Sequence, residues 1–145
     1  MGCGEGRDWV GNAVVSFPTA KDLSLVKLVG KPVEGCRVAT GSLEKLMPRI
    51  RNLSGLRELK QGTLNIRLQH PYEERPDFTI PACDEHPNES VSFQRCRVLG
   101  HGALIMRTQN GKKYHGLEVL EIMADVNFRE TYSLTEDAEI EVEID

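Results

Sequence analysis

The sequence predicts a mainly β fold: a small, closed or nearly closed six-stranded β-barrel with a helical insertion after the first barrel strand. Several short segments alternate apolar and polar residues with period two, most clearly residues 62–68, 91–98 and 138–145, as strands with one buried face do. Glycine, proline and Asn-Gly turn signals separate these segments at short intervals. Residues 43–53 carry the helical pattern, with Leu43, Leu46, Met47, Ile50 and Leu53 three or four apart.

Residues 1–34 are expected to form a partly ordered N-terminal extension and residues 35–145 the barrel domain. The Gly2-Cys3-Gly4-Glu5-Gly6 run looks like a phosphate-cradling loop, but no strand precedes it, so it reads as a flexible start. Residues 11–17 suit a short strand ended by Pro18, and the apolar run 23–29 fits either helix or strand. Residues 34–42 read as a strand running into a glycine turn, with Ser42 as the N-cap of the following helix. Pro48 interrupts that helix, kinking it or opening a second one. The same region gathers Arg37, Lys45, Arg49, Arg51, Arg57 and Lys60 into a local basic surface.

In residues 62–68, Leu64, Ile66 and Leu68 fall on one face of a strand, and Thr63, Asn65 and Arg67 on the other. The first row suits a core. The second sets a hydroxyl and an amide oxygen side by side after a glycine, and neutral oxygens of this kind suit a hard cation that also holds phosphate oxygens and water. A long surface loop follows, holding at most a short strand at 78–80. Residues 91–98 and 103–107 make a hairpin turned at Gly100-His101-Gly102, and residues 109–113 a polar Asn-Gly turn. Residues 119–124 form an apolar strand with one acid, Glu121, whose carboxylate must leave the core or serve a site. The glutamates of residues 138–145 are the wet face of a last strand.

With 18 Lys+Arg against 22 Asp+Glu the net charge is −4, which gives a nucleic-acid backbone little to attract it. Cys3, Cys36, Cys83 and Cys96 form no C-x-x-C pair, and Cys83-Asp84-Glu85-His86 with Cys96 and His70 matches no closed zinc pattern. Reduced thiols in a cytoplasmic protein are the expectation, with no membrane span among the interrupted apolar runs. A monomer or small homo-oligomer is expected.

Two stretches then acquire a joint meaning. Gly62-Thr63-Leu64-Asn65-Ile66 resembles the P-G-T-L-N-V/I element of the archaeal-type CTP-dependent riboflavin kinases, and residues 108–129 resemble that family's T-x-H…L-E-I-I-A-P-V-N-L-R segment. The likeness covers residues 35–145 and implies a cradle-loop barrel that moves a phosphate from CTP to riboflavin, giving FMN, with Mg²⁺. By position it implies Thr63 and Asn65 as metal ligands, and Thr108 and Glu121 as flavin-binding residues with Glu121 catalytic. It implies Thr40, Gly41, Ser42, Val126, Asn127, Phe128 and Arg129 at the nucleotide. The chain departs from the family in three places. Of its S-G-x-G-E-G loop only Gly41 remains, Gln61 replaces the proline before Gly62, and Asp125 stands where the family carries proline. An alternative is therefore a non-catalytic flavin- or nucleotide-binding barrel. A DNA-binding barrel is a third reading, since cradle-loop folds also occur in transcription factors, with the acidic total against it.

Overall fold

The structure, a computed structural model, describes residues 26–34, 40–60, 63–84, 87, 89–109, 112 and 116–144. Seven strands lie among the described residues: β1 (Val26–Val33), β2 (Thr63–Leu68), β3 (Phe78–Ile80), β4 (Val91–Val98), β5 (His101–Thr108), β6 (Val119–Ala124) and β7 (Ile140–Ile144). Two helices accompany them, α1 (Thr40–Ser54) and α2 (Phe128–Tyr132). The chain divides into two compact units, Leu28–Val142 and Met1–Lys27 with Glu143–Asp145. Of the second, only Val26, Lys27, Glu143 and Ile144 are described, as strand ends.

Strand pairing runs β4, β5, β6, β2, β1, β7 and back to β4, with β3 added beside β4. This is the expected mainly β fold, a closed six-stranded antiparallel barrel with a helix after its first strand. Closure leaves no long unpaired edge in the ring. It also demands close approach at Gly30, which pairs with Leu68. A Cβ there would fall on Ile66 Cγ2 and 2.7 Å from the Arg67 carbonyl oxygen.

Register separates the two faces of the sheet. Ile66 opposes Leu120, Leu64 opposes Ile122, and Ile105 opposes Ile122 from the other side, so these side chains share one face. Leu104, Met106 and Met123 occupy the alternate face and pack with Leu43, Leu46, Met47 and Ile50 of α1, together with Phe93, Val91, Ile80 and Leu59. A six-stranded barrel has room inside only for side chains. The helix-covered face is therefore the outer one, and the row Leu64, Ile66 and Leu68 fills the interior, as its spacing predicts.

Several boundaries differ from the sequence expectation. The run 23–29, which fits helix or strand, contributes to β1. The strand expected at 34–42 lies largely outside the described residues, and Thr40, Gly41 and Ser42 already belong to α1. Ser42 is thus inside the helix and not its cap. Pro48 sits within a single continuous helix on its exposed side, where the missing N–H and the ring's clash are relieved toward solvent. Leu53 is exposed at 45%, because the apolar stripe of α1 ends one turn earlier at Ile50.

The β4–β5 turn is Leu99-Gly100, both at positive φ (49° and 82°), so His101 and Gly102 belong to β5. Gln109 and Lys112 are helical where a polar turn is expected. The expected strand at 11–17 and the glycine run at 2–6 lie outside the described residues. Helix α2 is not anticipated above, although Asn127 followed by Glu130 is a capping signal. Its Asn127 side chain accepts the Glu130 N–H.

Candidate functional site

The candidate residues converge on the outer face of β2, β6 and β5, beside α1. Asn65 directly opposes Glu121 across the β2–β6 ladder, and Thr63 opposes Met123 two positions along. Met106 opposes Glu121 from β5, so Thr108, two residues further, lies on the same face. Residues directly opposed on antiparallel strands have Cβ atoms about 5 Å apart. Asn65 and Thr108 are each only 5% exposed, whereas Arg67, on the same side of β2, is exposed. On the polar side of β2, Asn65 is therefore covered while Arg67 meets water.

Glu121 is the electrostatic centre of this face. Burial raises its carboxyl from the ordinary 4.5 to about 7; the Arg107 guanidinium opposes the rise and Glu89 adds to it. A carboxylate facing open water would show no such shift, so Glu121 loses hydration in the free protein. An apolar strand supplies the cause, since every other residue of β6 is buried.

Arg107 points to the opposite, interior side and closes one end of the barrel. Its Nη1 donates to Glu74 Oε1 at 3.2 Å, and its Nη2 to the carbonyls of Leu117 and Val119 at 3.1 and 3.4 Å. Lys112 Nζ stands 3.5 Å from the other Glu74 oxygen. Burial lowers the proton affinity of Arg107, with Glu74 the strongest opposing influence. Tyr72, its phenol raised by burial, donates to Gln94 Oε1 at 2.9 Å in the same plug. Nothing in the sequence marks this cluster, because Glu74 and Arg107 are 33 positions apart and meet only through the fold.

The segment after β6 lies at the Thr63 end of the face. The Lys60 N–H reaches the Ala124 carbonyl at 2.8 Å, and Arg129 Nη2 donates to the Val33 carbonyl at 3.0 Å. Val33 opposes Asn65 in the β1–β2 ladder. Val126, Asn127, Phe128 and Arg129 are thus brought to the neighbourhood of Thr63 and Asn65. Asn127 caps α2, and Phe128 is buried. Thr40, Gly41 and Ser42 form the first turn of α1.

The two described cysteines, Cys83 and Cys96, do not converge. Cys96 opposes Ala103 in the buried interior row, while Cys83 packs against the α1 side of the sheet, with Arg49 Nη1 3.7 Å from its sulfur. Among the described residues no three of His, Cys, Asp and Glu gather closely enough to hold a metal ion. Nor is any helix among them long and apolar enough to cross a membrane.

What the face can do follows from its chemistry. It sets an amide and a carboxyl that titrates near neutrality side by side in a largely dehydrated setting, with a threonine nearby. Neither a protein-family model nor a curated protein sequence matches the chain.

Proposed function

We propose that the protein is a phosphotransferase acting on a flavin, moving the terminal phosphate of a nucleoside triphosphate, CTP by resemblance, to a riboflavin hydroxyl. The observation that carries this reading is the direct opposition of Asn65 and Glu121, with the Glu121 carboxyl raised by burial to about 7. A general base works best when its proton affinity matches the working pH. Glu121 would accept the proton of the attacking hydroxyl, and Thr108, on the same face, would orient the flavin.

The donor set fits magnesium: a buried amide oxygen and a threonine position supply hard neutral ligands, and this ion keeps waters and phosphate oxygens for the rest. When bound, Mg²⁺ neutralises phosphate charge. Asn65 and Thr63 would hold it, with Arg129 and its neighbours beside the nucleotide. Catalysis then consists mainly of positioning and charge neutralisation.

A second reading, a flavin- or nucleotide-binding barrel without turnover, draws support from one feature. Thr40, Gly41 and Ser42 form the first turn of α1, with Gly41 the one glycine among them, so a phosphate would meet only the amides of a helix start and not a glycine-rich loop wrapped closely around it.

The test is to incubate the protein with riboflavin, Mg²⁺ and each of CTP, ATP, GTP and UTP and to look for FMN. Calorimetry on Asn65→Ala complements it. Loss of Mg²⁺-dependent nucleotide binding with the barrel still folded supports the assignment, and unaltered affinity removes Asn65 from the site. The second reading is the answer if ligands bind and no FMN forms.

A further inference from the structure

One side-chain cluster lies outside the residues assigned so far. His101, the first residue of β5, has Nδ1 3.0 Å from Asp125 Oδ1 and Nε2 2.7 Å from the Tyr132 hydroxyl. Its ring also meets Phe128 and Tyr132 edge-on, with centroids 5.6 and 5.9 Å away. One imidazole therefore touches both ends of the stretch 125–132. An ionised carboxylate can only accept, so Asp125 keeps the imidazole proton on Nδ1 and leaves Nε2 to accept from Tyr132. The aspartate enabling this stands where the resembling family has proline, a residue with no side-chain acceptor.

Helix α2 needs such support. Five residues make little more than one turn, too short to persist alone in water. Besides its Asn127 cap and the left-handed Ser133 at its end, it is fastened by Arg129 on Val33 and by His101.

We propose that His101 is the positioning residue for Val126, Asn127, Phe128 and Arg129, fixing them at the Thr63 end of the site through Asp125 and Tyr132 and so governing affinity for the nucleotide and not for the flavin. This rests on the nucleotide reading above. His101 itself touches no substrate. Its action is to remove freedom that nucleotide binding would otherwise have to remove.

The test compares His101→Phe, which keeps the ring contacts and deletes both hydrogen bonds, with Asp125→Ala and with Asp125→Asn, whose amide oxygen still accepts from Nδ1. Hydrogen exchange is followed at the amides of Thr131 and Leu134, which bond to Asn127 and Arg129 carbonyls. Calorimetry gives Mg²⁺–CTP and riboflavin affinities separately. In His101→Phe and Asp125→Ala, exchange at both amides should accelerate and CTP affinity fall by about tenfold, the scale of one lost hydrogen bond to a charged group. Riboflavin affinity should hold, and Asp125→Asn should behave as the unmodified protein.

Unchanged exchange in His101→Phe overturns the proposal without touching the phosphotransfer reading. Equal weakening of CTP and riboflavin also overturns it, since that marks general damage to the fold. Failure of the unmodified protein to bind any nucleotide overturns the phosphotransfer reading and the nucleotide half of this proposal, and the exchange rates still decide whether His101 fastens the segment.

Discussion

Glu121 carries opposite consequences for stability and for chemistry. Its carboxyl titrates at about 7 in the folded protein against an ordinary 4.5, so between these values the folded state binds more protons than the unfolded one. Stability is then greatest below about pH 4.5 as far as this group is concerned, and falls as pH rises to about 7. At about 1.4 kcal/mol per tenfold change in proton affinity the full cost approaches about 3 kcal/mol. Glu121→Gln removes the charge and keeps the shape. It should raise stability by about 2 kcal/mol at pH 8 and leave it unchanged at pH 4, measured by urea unfolding at both values. The same variant should lower the transfer rate by roughly 10²-fold or more, as loss of a general base does. In the unmodified protein that rate should climb as pH passes through about 7. A rate that survives the substitution assigns Glu121 to the fold alone. Asn65 is the companion case: its place on the polar row is legible from alternation, but its burial depends on what surrounds the strand.

At the scale of elements, two local rules are broken and each breakage is confined to an exposed position. Pro48 sits inside the continuous α1 on its solvent side, where the lost hydrogen bond and the ring's crowding of the preceding turn disturb no core packing. Leu99 adopts left-handed backbone in the β4–β5 turn and is 42% exposed. A two-residue turn with both residues at positive φ matches the twist of a hairpin but disfavours a side chain such as leucine. Leu99→Asn should therefore stabilise the protein by about 1 kcal/mol, raising the melting temperature by about 3 °C, with activity unchanged. No gain would mean that the leucine makes contacts worth as much as the backbone strain. The C-terminal end of α1 is fixed more firmly than its sequence suggests. Arg95 Nη2 donates to the Leu53 carbonyl at 3.1 Å, and the Arg95 N–H to Asp77 Oδ2 at 2.6 Å.

For the whole molecule, ring closure is the organising constraint, and Gly30 is where it is tightest. Gly30→Ala should cost about 3 kcal/mol, read as a fall in the denaturant midpoint, because the added methyl meets both a buried isoleucine and backbone. An unmoved midpoint would show that β1 can shift away from β2. β5 and β6, buried on both faces, were legible as apolar runs bounded by turn signals, and β2 and β4 by alternation, because burial of one face of a sheet imposes period two whatever the neighbours are. The five-residue β7 and the three-residue β3 were legible for the same reason, and the stripe of α1 because period 3.6 imposes its own pattern. Which strands become neighbours is not a local property. The opposition of Asn65 to Glu121, the sharing of one face by Thr108, and the encounter of His101 with Asp125 and Tyr132 join residues far apart in the chain, brought together by strand register and, for Tyr132, by the packing of α2. Burial is likewise collective: the sequence marked Glu121 as an acid among apolar neighbours, whereas the packed structure around it raised its proton affinity toward neutrality.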